Sequence, residues 1–211
     1  MTVAAVMTYD SLVDDISTYL ERDDTATLIK IPQFIMLAEQ IIAADLKFLG
    51  NLTVAESTMV QGEATIAKPA RWRKTVSMNV TVGQERFPVL LRKYEYLREY
   101  WPKPAEEDVP KFYCDYDYEN WLVAPTPAES YNFEVLYYQR VQPLDSSNQT
   151  NWFTQYAPQA MLYGSLLQAM PFLKNDERMP MWQGNYDHII EVLKTEDVTR
   201  VADRQAIVRD S

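Results

Sequence analysis

The residues that could carry catalytic chemistry are few in this sequence. The 211 residues include one histidine, His188, and one cysteine, Cys114. A cysteine or serine nucleophile needs a base placed to take its proton, and no GxSxG motif occurs in the chain. Asp187 is adjacent to His188 and therefore points to a different face of a helix. We predict that neither side chain is catalytic and that the protein is not an enzyme.

Three carboxylates form the densest polar cluster. Asp115, Asp117 and Glu119 alternate with Cys114 and two tyrosines, so a strand here would place the carboxylates on one face. A calcium-binding loop would need glycine at its sixth position and glutamate at its twelfth, where this sequence has asparagine and threonine. We interpret the cluster as a solvated sheet face. Because two carboxylates can hydrolyse a glycosidic bond, a cell-wall hydrolase stays open as one alternative function.

The sequence lacks the motifs that hold metals or cofactors. One cysteine and one histidine cannot form a disulfide or a Cys/His zinc site within one chain. The five glycines form neither a GxGxxG nor a Walker loop. No run approaches the ~20 apolar residues of a membrane span, and residues 1–7 lack the features of a signal peptide. We expect no cofactor, no metal and no membrane partner, and synthesis in a cytoplasm.

One basic segment stands out in an acidic chain. The formal net charge of −10 disfavours a surface that binds nucleic acid by neutralising phosphates and suits a wall past which DNA can slide. Fourteen tyrosines and five tryptophans provide rigid side chains of the kind enriched at interfaces, although an aromatic β core would use them equally well. We predict that a neighbouring subunit contacts the basic segment, which comprises Arg71, Trp72, Arg73 and Lys74.

Apolar periodicity predicts the secondary structure. Spacing near 3.6 residues predicts helices at 8–20, 32–49, 92–100 and 158–173, and a last helix after residue 176. Pro180 must lie in the first turn of that last helix, because an interior proline would break it. Period-two runs predict strands at 53–60, 63–67, 74–82, 85–90, 111–117, 120–124 and 131–139. Gln61-Gly62 and Gly83-Gln84 occupy positions typical of hairpin turns.

This order of elements predicts an α+β fold in a single subunit spanning residues 1–211. Both chain ends, residues 8–50 and 151–199, form a helical layer around a central antiparallel, β-sandwich-like part at 52–148. We expect helix 32–49 to pack against helix 158–173, because each has a broad apolar stripe that it cannot bury alone. Residues 200–211 are polar and of mixed charge, so we predict a C-terminal tail.

The C-terminal third carries an ordered set of motifs. Asn151-Trp152 precedes Ala157-Pro158, and these are followed by YGSLLQA at 163–169, NDER at 175–178, Trp182 and Tyr186. Further short matches lie upstream, at 68–70, 110–113, 125–127, 136–138 and 143–144. This arrangement resembles the head-to-tail adaptors of tailed bacteriophages, the group that includes tail tubular protein A of short-tailed phages. Phe153 and Asn175 depart from the leucine and aspartate of that pattern, and residues 69–72 depart from its Pro-x-Asp-Phe step.

The resemblance implies a non-enzymatic virion protein of the neck or tail. It implies a homo-oligomeric ring of twelve copies that joins the portal protein to a tail nozzle or tube protein. Double-stranded DNA would pass through the ring during genome ejection without specific binding, and the ring would line the channel. A heterologous ring needs two different, complementary patches on each subunit, which aromatic strands and charged loops can supply.

Two further functions remain as alternatives. A tail terminator or neck protein of a long-tailed phage would share the ring but have other partners. A carbohydrate-binding β-sandwich module would use surface tryptophan and tyrosine to stack on sugars, although a lone module has no need of helices at both ends.

The predicted tail contains a few apolar side chains among charged ones. A segment of this kind is too short and polar to fold alone, but it can order when it binds a partner. In a subunit that docks on a neighbouring ring, we predict that the tail contacts the portal through Arg200, Val201, Arg204, Ile207, Val208 and Arg209.

Overall fold

The structure is a computed structural model that describes residues 6–46, 51–173 and 177–205. It has the predicted α+β fold, and the chain divides into two compact units. Of the described residues, the helical unit contains those up to Leu46 and those from Val141 onward, and the β unit is Asn51–Arg140. Residues 141–148 were predicted to belong to the β part, but in the structure they belong to the helical unit.

The elements follow one another in an order close to the predicted one. The helices are α1 (Tyr9–Leu20), α2 (Thr25–Leu28), α3 (Ile31–Asp45), α4 (Tyr94–Tyr100), α5 (Trp152–Tyr156), α6 (Pro158–Leu173) and α7 (Met179–Gln205). The strands are β1 (Leu52–Met59), β2 (Thr65–Ala67), β3 (Trp72–Val82), β4 (Glu85–Leu91), β5 (Glu107–Asp108), β6 (Phe112–Asp115), β7 (Asn120–Ala124), β8 (Thr126–Pro127) and β9 (Tyr131–Gln139).

Local sequence explains where the helices begin. Thr8 caps α1, since its hydroxyl accepts the Ser11 backbone N–H at 3.1 Å while the Ser11 hydroxyl accepts that of Thr8 at 2.9 Å. This reciprocal box satisfies two backbone donors that a helix start leaves free. Pro158 is the first residue of α6, and Pro180 lies in the first turn of α7, as predicted. The second predicted helix ends earlier than residue 49, because Leu46 is already extended, and residues 47–50 lie outside the described part.

The core of the helical unit forms mainly between α3 and α6, as predicted from their stripes. Ile35, Ile42 and Leu166 are fully buried in one cluster. Gly164 permits the close approach: a Cβ atom there would lie 3.3 Å from Tyr186 Cε2 and 3.4 Å from Ala38 Cβ. Three helices thus meet at a position where only glycine fits without displacement.

The segment Thr25–Asp45 is long and apolar enough to cross a membrane, judged by length and composition alone. The expectation that no segment approaches the length of a membrane span was wrong on this criterion, because α2 and α3 together form a segment of 21 residues. Ile31, Ile35 and Ile42 of this segment are fully buried among other helices. The core helix of a globular protein has the same composition.

The β unit contains a seven-stranded sheet in the order β1-β9-β3-β4-β6-β7-β2. All of its pairs are antiparallel except β4 with β6, and β5 and β8 form a separate parallel pair. Alternation places one face in the core, where Met78 and Val80 of β3 lie opposite Val135 and Phe133 of β9.

Two local expectations for the β unit were wrong. Gly62 makes a turn with a φ of 76°, but the strands that it joins do not form a hairpin, since β1 pairs with β9 and β2 with β7. The predicted strand 111–117 ends at Asp115. Asp117 instead lies in a turn, where its Oδ1 accepts the backbone N–H groups of Glu119 and Asn120, each at 2.7 Å. The three carboxylates therefore do not share one strand face.

Candidate interaction surfaces

A cluster of exposed aromatic rings lies on the β unit. We call it the tyrosine surface and define it as Tyr94, Tyr96, Tyr100, Phe112 and Tyr116. The α4 helix presents Tyr96 and Tyr100 one turn apart, and their rings are stacked with centroids 6.0 Å apart. Both rings also pack edge-on against Phe112, at 5.3 and 4.8 Å between centroids. These contacts hold each ring in place and leave part of it accessible.

Two arginines complete the tyrosine surface. The Arg92 guanidinium lies 5.5 Å from the Phe112 ring and 5.7 Å from the Tyr96 ring. Arg98 lies 5.0 Å from the Tyr94 ring, and its Nε–H donates a hydrogen bond to the Tyr94 hydroxyl at 3.0 Å. Arginine and tyrosine are the residue types that contribute most to binding at protein interfaces. The cluster is therefore suited to bind a protein partner.

The four tyrosines of the surface are between 39% and 45% exposed. They are rigid, because each has a ring neighbour within about 6 Å. Burial of such side chains against a partner costs little side-chain entropy, since tyrosine has few free torsions and these are already restricted. The high tyrosine content of the sequence indicated an interface, but this cluster was not predicted. The spacing of Tyr96 and Tyr100 was the available signal.

The predicted subunit interface begins next to an ion pair between a buried lysine side chain and an exposed carboxylate. The Lys68 side chain is only 3% exposed, and its ammonium group pairs with the Asp115 carboxylate and donates to the Asp117 carbonyl. It also lies 4.1 Å from the centroid of the Trp72 ring. Lys68 therefore holds the β6–β7 turn against β3 and does not offer its charge to a partner.

The four residues of the basic segment differ in position. Trp72 is half-buried, where its Nε1–H donates to Thr75 Oγ1 at 3.1 Å and its ring packs edge-on against Trp121 at 6.1 Å. Arg71 is exposed with a left-handed φ of 60°. Lys74 is exposed and Arg73 is half-buried on β3. The structure brings these four residues together, and their contact with a neighbouring subunit stays a prediction.

The predicted portal-docking residues lie at the end of the described chain. The α7 helix continues to Gln205, so Arg200, Val201 and Arg204 are helical rather than part of an irregular tail. Ile207, Val208 and Arg209 lie outside the described residues. Docking of the tail on a portal stays a prediction.

The helical unit contains a buried carboxylate that was not predicted from the sequence. Glu39 of α3 is 7% exposed, and its Oε1 accepts hydrogen bonds from Asn151 Nδ2 at 2.6 Å and from the Leu144 backbone N–H at 3.2 Å. Asn151 also caps α5, because its Oδ1 accepts the Phe153 N–H at 3.0 Å. Glu39 thus ties α3 to the segment that leads into α5. A glutamate inside the apolar stripe of α3 was the only signal in the sequence.

Burial raises the pKa of the Glu39 carboxyl above its ordinary value. Hydrogen bonds from Leu144 and Asn151 act in the opposite direction, because they stabilise the charged form. The nearby Asp145 carboxylate raises the pKa further. This carboxylate is tied to the structure of its unit by donors on two segments, so its role is structural.

The structure assembles no catalytic constellation from the residues considered at the outset. Cys114 is buried in the β unit, and burial raises the pKa of its thiol, which disfavours the nucleophilic thiolate. His188 is exposed on α7 of the helical unit. Within the ranges 6–46, 51–173 and 177–205, no group of three or more histidine, cysteine, aspartate or glutamate side chains is placed to hold a metal ion.

The model of the SU10 adaptor protein family matches residues 7–209. The chain belongs to the SU10 adaptor protein family. This is a family of structural phage adaptors rather than enzymes. This SU10 adaptor is therefore a bacteriophage structural protein of the virion neck or tail that associates with portal and tail proteins. No curated protein matches the chain. The narrower resemblance to tail tubular protein A stays a prediction.

Proposed function

We propose that this SU10 adaptor forms the ring that joins the portal to the tail nozzle or tube. Twelve copies of the protein, which would be made in the host cytoplasm, would close the ring. Double-stranded DNA would pass through its centre during genome ejection without specific binding. The net charge of −10 supports such a channel wall, because like charges repel the phosphates. Family membership over residues 7–209 supports the adaptor role.

The observation that carries this proposal is the tyrosine surface. Four accessible tyrosines held rigidly beside two arginines form an exposed cluster of the kind that marks an interaction site. A ring subunit must bury such surface against a neighbour or an adjoining ring. Each subunit would be a single adaptor in which the helical unit and the β unit offer separate contacts.

A carbohydrate-binding module finds less support in this geometry. Sugars stack on an open aromatic face, whereas each tyrosine of the surface already has a ring or a guanidinium group as its neighbour. A tail terminator or neck protein of a long-tailed phage would use the same kind of surface, and its partners would distinguish it.

The first experiment tests assembly. The purified protein, alone, mixed with the portal protein and mixed with the tail tube of the same phage, would be analysed by light scattering and electron microscopy. We expect a ring of twelve subunits seated on the portal. A protein that stays monomeric and unbound under all three conditions would contradict the proposal. A ring that binds the tail tube but not the portal would favour the terminator function.

The second experiment tests the surface itself. The double variant Tyr96→Ala/Tyr100→Ala should weaken ring assembly or portal binding by at least roughly tenfold, because interface tyrosines contribute on the order of 1–2 kcal/mol each. Tyr118→Ala is the matched control, since Tyr118 is 78% exposed in the same unit and lies outside the tyrosine surface. Equal effects of the two variants would show that this surface is not an interface.

The C-terminal tail would provide a further portal contact. Deletion of residues 200–211 should leave the melting temperature nearly unchanged and should weaken portal binding. The deletion variant and the full chain would be compared by light scattering and by a portal pull-down, in which unimpaired portal binding would exclude this role.

A further inference from the structure

A pocket at one end of the β unit is lined by two arginines that form no ion pair. We call it the basic pocket; it has a volume of about 370 Å³, and its lining includes Arg71, Arg140, Trp72 and Glu119. The two arginines are neighbours, because the Arg71 carbonyl accepts the Arg140 backbone N–H at 2.7 Å. Both are exposed, and neither pairs with a carboxylate within the ranges 6–46, 51–173 and 177–205. Two such guanidinium groups in one cleft attract an anion.

The other groups around the basic pocket do not neutralise the two arginines. Lys68 also lines the pocket, but its charge is already matched by Asp115. Glu119 is the one further carboxylate of the lining, so two arginines face one glutamate. Burial raises the pKa of the nearby Tyr137 hydroxyl, and the Arg71 charge opposes this shift. Tyr137 is therefore neutral at pH 7 and leaves the Arg71 charge uncompensated.

The pocket also has an apolar wall. The half-buried Trp72 ring is held in place by its edge-on contact with Trp121 and by the hydrogen bond from its Nε1–H to Thr75. A glutamate side chain suits this combination, because its methylene groups can pack against the ring while its carboxylate pairs with guanidinium groups. Tyr118 at the rim is 78% exposed and adds no charge, so Tyr118→Ala should leave such a contact intact.

Carboxylates without a cation lie at the other end of the β unit. Three glutamates around the β5–β8 pair are exposed and form no ion pair with any described residue, and we call them the acidic corner: Glu63, Glu107 and Glu129. The adjacent Glu106 and Asp108 differ, because they pair with Lys103 and Lys111. The acidic corner therefore has charge available for a partner.

Backbone hydrogen bonds hold the acidic corner in shape. The Gly62 N–H, next to Glu63, donates to the Pro127 carbonyl of β8 at 2.9 Å. The Ala128 N–H donates to the Asp108 carbonyl at 3.3 Å, and β5 pairs with β8 between these two bonds. A carboxylate on a rigid support loses little conformational entropy when it binds.

The basic pocket and the acidic corner lie at opposite ends of the β2–β7 pair. Ala67 of β2 lies opposite Asn120 of β7 at the end where both residues line the pocket. From there β7 runs to Ala124 and leads into β8 at the acidic corner. One copy therefore cannot bring its own pocket and corner together. Complementary patches at opposite ends of a subunit are what a head-to-tail contact requires.

We propose that the acidic corner of one copy binds the basic pocket of the next copy, with a glutamate carboxylate seated on Arg71 and Arg140. The occupant of the pocket is a second copy of this chain. This inference rests on the proposed ring and names a charge contact between its subunits. It assigns Arg71 and Trp72 of the predicted interface to one side of that contact, and the role of Arg73 and Lys74 stays a prediction.

Charge reversal on each side tests the contact. The pocket variant Arg71→Glu/Arg140→Glu and the corner variant Glu107→Lys/Glu129→Lys should each weaken self-association at least roughly tenfold, because like charges then meet at every contact. Light scattering would measure self-association of the full chain, alone and on the portal protein. Melting temperatures would show that each variant folds.

Mixing the two variants is the sharper test. In a mixture, the reversed pocket of one variant meets the reversed corner of the other, and the unchanged pocket meets the unchanged corner. Copies of the two variants should therefore alternate around the ring, and the mixture should regain most of the assembly that each variant lacks alone. A chain that carries all four substitutions should regain it as well.

The control variants change the net charge equally at other exposed positions. Arg22→Glu/Lys30→Glu of the helical unit matches the pocket variant, and Glu56→Lys/Glu85→Lys of the β unit matches the corner variant. Both controls should assemble like the wild-type protein. A loss as large as that of the variants would show that net charge, rather than this contact, governs assembly, and would overturn the proposal.

Binding of a short DNA duplex, measured by mobility shift, tests the other source of an anion. If the pocket variant loses binding to the duplex while it self-associates like the wild-type protein, the pocket accepts phosphate and the proposal is overturned. A mixture of the two variants that stays unassembled overturns it too.

The outcome separates this inference from the proposed function. If the wild-type protein forms rings and the pocket and corner variants form them equally well, the charge contact is wrong and the ring stands. If the wild-type protein does not self-associate alone or on the portal, the proposed ring and this contact are both overturned.

Discussion

Two large aromatic side chains of the helical unit, Phe153 and Trp182, are buried in its core, whereas three tyrosines of α4 in the β unit are exposed. Phe153 and Trp182 are at most 1% exposed within the helical core, but Tyr94, Tyr96 and Tyr100 are about 40% exposed. The two regions also differ in where they place charge. The Glu39 carboxylate of the helical unit is buried and accepts hydrogen bonds from neutral donors, whereas the arginines of the tyrosine surface are exposed. The core around Phe153 and Trp182 therefore stabilises its unit by packing, whereas the tyrosine surface offers accessible contacts.

This comparison predicts that substitutions in the helical unit change stability and those on the tyrosine surface change assembly. Leu166→Ala should give the largest effect, a loss of ~2–5 kcal/mol in the free energy of unfolding, because Leu166 is fully buried and its truncation leaves a cavity. Leu162→Ala should fall in the same range. Leu28→Ala is the control at 39% exposure. Urea unfolding measures all three, and near-neutral shifts at both core sites would refute the packing of α3 on α6.

Glu39→Ala should cost about 1–3 kcal/mol, because the Leu144 N–H would lose its acceptor in a buried site. Glu39→Gln keeps an oxygen for that hydrogen bond and removes the charge. The folded-state pKa of Glu39 is raised above its ordinary value of 4.5, so the stability that Glu39 contributes decreases as pH rises through and above that value. Glu39→Gln should therefore gain stability relative to wild type as pH rises, measured by unfolding between pH 4 and 7. A difference that does not change with pH would contradict this assignment.

Gly164→Val should destabilise the helical unit by ~1–3 kcal/mol, since the added carbons would collide with Tyr186, Ala38 and Ile42. Gly184→Val is the matched control on α7, where a Cβ atom meets nothing within 4 Å. Valine there should be neutral or slightly stabilising, because glycine is the poorer helix former. Thermal unfolding would compare the stabilities of the two variants. Equal losses of stability would mean that α6 can shift to accommodate the added side chain.

Tyr96→Ala/Tyr100→Ala should leave the β unit folded, with a stability loss of roughly 1–3 kcal/mol from the ring contacts, while assembly or portal binding falls at least roughly tenfold. The tyrosine variant should lose more assembly than stability. Leu166→Ala should lose more stability than assembly, so the two variants together test the comparison. Circular dichroism and light scattering on the same samples give both values.

His188→Ala should have the smallest effect, within ±0.5 kcal/mol on stability, because His188 is exposed on α7. Assembly should be unchanged as well. A hydrolase activity that disappears in this variant would show that the adaptor has an enzymatic function after all.

Much of the secondary structure could be predicted because its signals are local. Thr8, Pro158 and Pro180 mark helix starts through their own backbone chemistry. The predicted bounds of β4 and β9 agree with the structure to within one residue, and the predicted start of β3 is two residues late. The pairing of α3 with α6 also followed, since two wide apolar stripes in one small unit leave few other ways to bury them. The ordered motifs at 151–186 pointed to the adaptor family.

The sequence by itself determined the element types, the α+β class and the scarcity of catalytic groups. Only the tertiary structure decided the partner of β1, the buried acceptor role of Glu39 and the assembly of the tyrosine surface. Their partners lie far away in the chain: Leu52 pairs with Tyr138, and Glu39 accepts from Asn151. Propensity and periodicity report on a few neighbouring residues, whereas burial, strand pairing and exposure depend on which distant segments meet when the chain closes on itself.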